Sequence, residues 1–411
     1  MLYTLKDAGF EAYVVGGGVR DILAGLKPKD FDIATNAHPE QIRRLFRSCR
    51  LVGRRFLIAH VRFGEEVLEV TTFRGPIGDS HERDDTGRIL SDNIYGTLED
   101  DAVRRDFTIN GLYYDIRDFA IVDYVGGMDD LKARKLRLIG DPELRYREDP
   151  VRMLRAVRIG NKLHFQMDPS SAEPIPRLAR LLREIPPARL FDEVLKALFS
   201  TENVENFRAL HWFGLWRELF PDLGTALDHD LDHARAFIEW ALANTAERLK
   251  HAQAVSPAFL FAALLWLPLV ARARALIEQQ GHPEHVAFAQ AAEEVFARQT
   301  LRVAIPKRFS VPAREIWMMQ PRFDNRRGAA PKRLMAHPRF RAAYDFLLLR
   351  AQAGEPVQEL ADWWTEAQKG ELLPVPDTAP EEAPAPGKRR RRRRRRGGRG
   401  GGQGQPSPPQ G

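Results

Sequence analysis

Gly16-Gly17-Gly18-Val19-Arg20-Asp21, followed shortly by Lys29-Asp30-Phe31-Asp32, decides the fold. A β-prone run at 12–15 leads into the glycines, and a short helix signal at 21–25 leads out of them. Residues 30–34 then read as a second strand. Side chains alternate along a strand, so Asp30 and Asp32 are expected on one face. Two adjacent carboxylates repel each other unless a cation sits between them. Oxygen-only ligands at this spacing suit Mg²⁺ shared with substrate phosphates. Backbone N–H groups at a glycine-rich helix start attract phosphate, which marks Gly16 and Gly17 as nucleotide-binding. Arg20 is expected at a triphosphate, with Asp21 bracing the turn. A plain tight turn is the competing reading of the glycines.

Outward from this stretch, strand and helix patterns alternate as far as residue 135. Residues 39–48 have helical periodicity, and 50–52, 56–63 and 67–73 read as strands. Residues 75–95 are polar and read as a loop, and 112–115 with 120–124 as a closing hairpin. From Asp149 the periodicity is helical, over 151–160, 177–184, 190–199 and 203–211, then through 230–300 and 306–350. The fold class expected is α+β, a mixed sheet followed by all-α neck, body and C-terminal helical domains. The divisions fall at 1–140, 141–225, 226–370 and 371–411. The last is a Pro/Arg/Gly-rich tail whose composition cannot bury enough apolar surface to fold, so it is expected to be disordered.

Composition narrows the function classes. Among 411 residues there is one cysteine, Cys49, so a disulfide framework is excluded and a reducing, cytoplasmic setting is expected. Met1 leads into mixed polar residues, without the pattern of a signal peptide. The longest apolar run, 258–271, is broken by Pro268 and too short to span a bilayer. The net charge of +7 is a local property, because residues 371–411 hold ten basic and four acidic residues. The rest of the chain holds 53 basic and 52 acidic residues and is close to neutral. Arg389, Arg390 and Arg391 within the polyarginine run are candidates for sequence-blind, salt-sensitive RNA contact. Arg322, Arg326 and Arg327 are candidates beside the aromatics Trp317 and Phe323, which are read with Trp363 and Trp364 as core residues.

Three further stretches carry chemistry. Glu69 interrupts the apolar run Val67-Leu68-Glu69-Val70. Alone it reads as an edge-strand acid facing water. With Asp30 and Asp32 upstream it reads as the third carboxylate of a two-metal site. Arg104-Arg105-Asp106-Phe107-Thr108-Ile109-Asn110 sets two arginines beside an acid and an apolar strand, which suits a triphosphate and ribose pocket. A salt-bridged junction is the alternative. In Glu148-Asp149-Pro150-Val151-Arg152, Asp149 reads as a helix N-cap three residues from Arg152, so the two share a face and can meet a base edge. An ordinary capping pair on a basic amphipathic helix, which also bears Arg155 and Arg158, explains the same residues. His229 and His233 are four apart with no third ligand at a fitting spacing, and His60 reads as a packed strand residue.

Together GGGVRD, KDFD, EVTTFRG, RRDFTIN, DYVGGMDDL and REDPVRMLRAVR, in this order, resemble the tRNA nucleotidyltransferase/poly(A) polymerase family, class II of the polymerase-beta-like nucleotidyltransferases. The resemblance implies Asp30, Asp32 and Glu69 as catalytic ligands of two Mg²⁺ ions. It implies Arg105, Asp106 and Asn110 around sugar and phosphates, and Asp149 with Arg152 at the base; Arg155 and Arg158 complete the nucleotide-binding set. Gly126, Gly127, Asp129 and Asp130 match a domain-connecting motif, and Arg189 and Glu193 a helical neck. The run 51–61, with Leu57 after Phe56, is similar to the bacterial poly(A) polymerase branch, as are the later block and the arginine tail. Family members usually carry a further segment ahead of the first strand. The activity implied is template-independent addition of AMP from ATP to RNA 3′ ends, with ATP and RNA as partners. Protein partners in RNA degradation are not legible in the residues. A CCA-adding enzyme and a non-catalytic RNA-binding protein are the alternatives.

Overall fold

The computed structural model describes residues 1–53, 56–76, 94–229 and 231–370. Seven strands form one mixed sheet: β1 (Ala12–Val15), β2 (Asp32–Thr35), β3 (Cys49–Val52), β4 (Ile58–Phe63), β5 (Glu66–Thr72), β6 (Leu112–Tyr114) and β7 (Ile121–Asp123). Their order is β3-β4-β5-β2-β1-β6-β7. β2 and β5 run parallel and the other neighbours antiparallel. A long crossover, through the helix Pro39–Leu45 and the β3–β4 hairpin, makes the parallel pair possible.

The glycines do more than turn the chain. Gly16 has φ +76°, a conformation costly for other residues, and the helix Gly17–Leu23 starts at the next residue. That is four residues earlier than the expected helix at 21–25. Gly18 is a packing position, because a Cβ there would lie 2.9 Å from the Asp30 carbonyl oxygen.

Two small cores flank the sheet, one around Ile33, Ile42, Val61 and Val70, the other around Tyr13, Val15, Phe73 and Tyr113. A third core is much larger. It begins at Phe107 and Ile109 and continues through the helix Val151–Leu163 and the helices beyond as far as Leu349. The apolar residues of the 104–110 stretch therefore seat the sheet on the helices. They form no strand: the helix Leu98–Arg104, capped by Thr97, is followed by a 3₁₀ turn at Thr108–Asn110. A fourth core gathers Phe323, Phe340, Trp363 and Trp364. Trp317, Phe323, Trp363 and Trp364 are all buried, as the core reading expects.

Residues Met1–Leu372 pack as one compact unit. The apolar run at 258–271 becomes the helices Pro257–Leu264 and Trp266–Gln280, bent by 49°. Among the described residues no single helix is long and apolar enough to cross a membrane. Most of the expected loop at 75–95, and the tail with Arg389, Arg390 and Arg391, lie outside the described residues.

Candidate active site

Asp32 opens β2, between β1 and β5. Its register partners are Val15 on β1 and Glu69 on β5, so the central carboxylate and the candidate third one face each other across the parallel pair. Asp30 precedes the strand and lies in the turn that receives Gly18. Strand alternation does not govern it, contrary to expectation; the turn does. The Asp32 carboxyl is pushed above the usual range, first by burial, then by the negative charges of Glu69 and Asp30. The Arg105 and Arg155 guanidiniums pull the other way. Glu69 is half-exposed, with Nε2 of His60, its register partner on β4, 3.4 Å from its Oε1. Among the described residues, no three His, Cys, Asp or Glu side chains stand close enough to hold an ion as they are placed. The donor set is all oxygen, and the strain on Asp32 is of the kind a cation relieves.

Two arginines, Arg105 and Arg155, act on the central carboxylate. A Cβ built on Gly16 would lie 3.4 Å from Nη1 of Arg105 and 3.9 Å from Oδ2 of Asp32. The glycine turn, a guanidinium and the central carboxylate therefore meet at one point. Arg20, expected at a triphosphate, is buried: Nε and Nη2 donate to Asp21 and Nη1 donates to Oδ1 of Asn110 at 2.6 Å. Asp21 also accepts from Lys162 at 2.6 Å. Asn110 donates to Oδ1 of Asp106 at 2.9 Å, and Oδ2 of Asp106 accepts from Nε of Arg155 at 2.7 Å. Glu193 takes Arg158 at 3.2 Å and Lys196 at 3.0 Å. This chain of charges joins the sheet to the helices Val151–Leu163 and Pro187–Leu198. Burial alone would raise the Asp106 and Glu193 carboxyls, but Arg155 beside the first, and Arg158 with Arg155 beside the second, hold both below the usual range.

The expected pairing of Asp149 with Arg152 is not made through side chains. Asp149 ends the helix Pro142–Glu148, and Pro150 separates it from the helix bearing Arg152, so a shared helical face does not exist. Asp149 accepts from Arg189 at 2.6 Å. Arg152 donates instead to Glu148 at 2.6 Å and to the Arg145 carbonyl at 2.7 Å. Arg145 donates in turn to the Arg104 and Arg105 carbonyls, and burial followed by repulsion from Arg152 lowers its pKa to about 10.

Of the distal arginines, Arg322 and Arg327 are exposed, and Arg326 is half-buried against Glu359 at 3.1 Å. Sequence reasoning missed Trp212, which is 83% exposed. It stands between clefts of about 490 and 250 Å³ that share His211, Trp212 and Phe213. It also missed Asp101 and Tyr113, which grip Arg105. The four-residue spacing of Asp101 and Arg105 was the available signal; no periodicity marked Trp212.

Three family models match this chain: "Poly A polymerase head domain" over residues 12–137, "Probable RNA and SrmB-binding site of polymerase A" over 164–227, and "Polymerase A arginine-rich C-terminus" over 280–397. The chain is 51% identical over 377 residues to Poly(A) polymerase I of Salmonella typhi, which covers 90% of this chain and 81% of that one. This chain belongs to the poly(A) polymerase I family. A CCA-adding enzyme of Lactobacillus helveticus is 41% identical over 197 residues, 48% of each chain. The Bacillus stearothermophilus CCA-adding enzyme, solved in complex with CTP, superposes with a TM-score of 0.61 at 26% identity, over 90% of this chain and 80% of that one. The poly(A) polymerase I family and the CCA-adding enzymes thus share this architecture, while the long match at high identity is to the former.

Proposed function

We propose that this chain adds AMP from ATP to RNA 3′ ends without a template, releasing pyrophosphate. The carrying observation is the register of Asp32 with Glu69, with the charges of Asp30 and Arg105 acting on Asp32, in a chain about half identical to poly(A) polymerase I over nine-tenths of its length. Arg105 lies where it can meet phosphate oxygens at the Gly16 turn. Asp106 and Asn110, fixed by Arg155 and Arg20, lie at the ribose. Asp149 and Arg152, each held by its own partner, present an acceptor and donors for a base edge. Asp30, Asp32 and Glu69 are the residues that would hold Mg²⁺, which when bound would lower the pKa of the attacking 3′-hydroxyl and offset charge growing at the α-phosphate. In this reading residues 1–140 are the catalytic head, 141–225 the neck that reads the base, 226–370 the RNA-binding body, and 371–411 a basic tether. Trp212, inside the stretch matched as an RNA-binding site, offers a stacking surface for a strand leaving the head.

The test uses purified chain, a short RNA with a free 3′-hydroxyl, Mg²⁺, and ATP or CTP. Long A tails with stoichiometric pyrophosphate support the proposal. A C-C-A product restricted to tRNA transfers the chain to the CCA-adding activity. Pyrophosphate from neither nucleotide leaves a non-catalytic RNA binder. Asp30→Ala and Asp32→Ala are expected to abolish transfer with unchanged melting curves.

A further inference from the structure

We propose that Asp101, with Tyr113, is a positioning residue that aims the free edge of the Arg105 guanidinium at the triphosphate of the incoming nucleotide. The inference deepens, and rests on, the nucleotidyl-transfer reading. Arg105 is gripped along one edge: Nε and Nη2 both donate to Oδ2 of Asp101, at 3.1 and 2.8 Å. The Tyr113 hydroxyl accepts from the same Nε at 2.8 Å and donates to the same Oδ2 at 2.6 Å. The guanidinium carbon lies 5.0 Å from the centre of the Tyr113 ring. What remains is Nη1, and it is the atom that approaches Gly16, with Oδ2 of Asp32 close by. A guanidinium recognises phosphate through a flat fork, so fixing one edge fixes the direction of the other.

Asp101 is suited to this work. It is 1% exposed on the helix Leu98–Arg104. Its other oxygen accepts from the backbone N–H and Nε of Arg74, at 3.2 and 3.0 Å. Arg74 follows β5, the strand that bears Glu69, and Tyr113 belongs to β6. One carboxylate therefore ties the arginine to strands on both sides of β1 and β2. Burial alone would raise its carboxyl; Arg105 and Arg74, with the Tyr113 hydroxyl, hold it far below the usual range. Near neutral pH it is therefore ionised and able to accept all of these hydrogen bonds.

A salt bridge that merely stabilised the fold would make the same contacts, so the test separates the two. Wild type, Asp101→Asn, Tyr113→Phe, Arg105→Ala and the two double variants with Arg105→Ala are assayed for kcat and KM toward ATP and toward RNA, with melting curves alongside. If Asp101 acts through Arg105, Asp101→Asn lowers kcat/KM for ATP about 10–100-fold, the range for losing an orienting partner. KM for RNA stays near wild type, and the same substitution adds less than about twofold in the Arg105→Ala background. Should Asp101→Asn fail to fold, Tyr113→Phe, which removes one oxygen, carries the same cycle with a smaller effect. Losses that multiply independently of Arg105, or folded variants with wild-type kcat/KM for ATP, overturn the inference while leaving the proposed function intact. A wild-type chain that releases no pyrophosphate from ATP overturns both.

Discussion

Replacing Gly18 by alanine tests whether the glycine turn sets the carboxylates. A Cβ there would lie 2.9 Å from the Asp30 carbonyl oxygen and 2.9 Å from Cδ1 of Phe31. Carbon–oxygen contacts relax at about 3.3–3.6 Å, so one neighbour must give by about 0.5 Å. The Phe31 ring is partly exposed and can swing aside; the carbonyl is backbone and carries Asp30 with it. Overpacking of this kind costs about 1–3 kcal/mol, which lowers the melting midpoint by several degrees. A 1 Å error at a reacting centre costs roughly 100-fold, so a shift of half that size predicts a kcat loss of about tenfold. Gly17→Ala is the control. Its Cβ would meet Nη2 of Arg20 at 3.5 Å, an ordinary contact, at the first position of the helix, where replacing glycine by alanine restricts the unfolded chain by about 0.4–1 kcal/mol. Its melting point is therefore expected to hold or rise. The assays are thermal melting and kcat at saturating ATP and RNA. A Gly18→Ala variant that melts and turns over like wild type refutes the packing argument.

Three further outcomes are expected. Glu193→Gln leaves Arg158 buried without its carboxylate and lowers stability by about 1–3 kcal/mol, read by chemical denaturation; unchanged midpoints count against the linkage of sheet and helices. Asp106, Glu148 and Glu193 have folded pKa values held below ordinary carboxyls, so the unfolded chain binds more protons as pH falls through about 4. Their contribution is complete near neutrality and lost on acidification, and melting points at pH 7, 5 and 3 that fail to fall would contradict it. Trp212→Ala removes an exposed stacking surface and is expected to weaken binding of single-stranded RNA about 5–100-fold with an unchanged melting point, read by fluorescence anisotropy.

The strands were legible because their signals are local. Alternation and turn residues place β1 through β5 within about two residues of their ends. What escaped depends on distant partners. Residues 107–109 look like a strand in isolation, yet Phe107 and Ile109 are wholly buried in the helical core. The Asp149–Arg152 pairing assumes that Asp149 caps the helix bearing Arg152; Pro150 takes that place, and Asp149 closes the preceding helix. The register neighbours Asp32 and Glu69 could be singled out in the sequence because each is an acid beside apolar strand residues; Asp30, in the turn ahead of the strand, could be singled out only by its spacing from Asp32. The Arg20–Asn110 hydrogen bond escaped because nothing near Arg20 announces Asn110, 90 residues away.

The buried acids explain why the site is built as it is. Asp21, Asp101, Glu148 and Glu193 each neutralise at least two cations, and Asp106 pairs with Arg155. Buried ion pairs are poor sources of stability, since desolvation offsets most of their attraction. Their value here is directional. Asp101 takes one edge of Arg105 and leaves Nη1 at the Gly16 turn; Asp106 and Glu193 fix the Arg155 and Arg158 guanidiniums. Asp32 has no comparable grip: burial first, then Glu69 and Asp30, destabilise it as an anion against the pull of Arg105 and Arg155. In the proposed reading this asymmetry suits a triphosphate with its cations: guanidiniums gripped by their own acids, beside a carboxylate that is costly to ionise. A soluble surface patch of the same composition would scatter both signs and gain nothing from burying either.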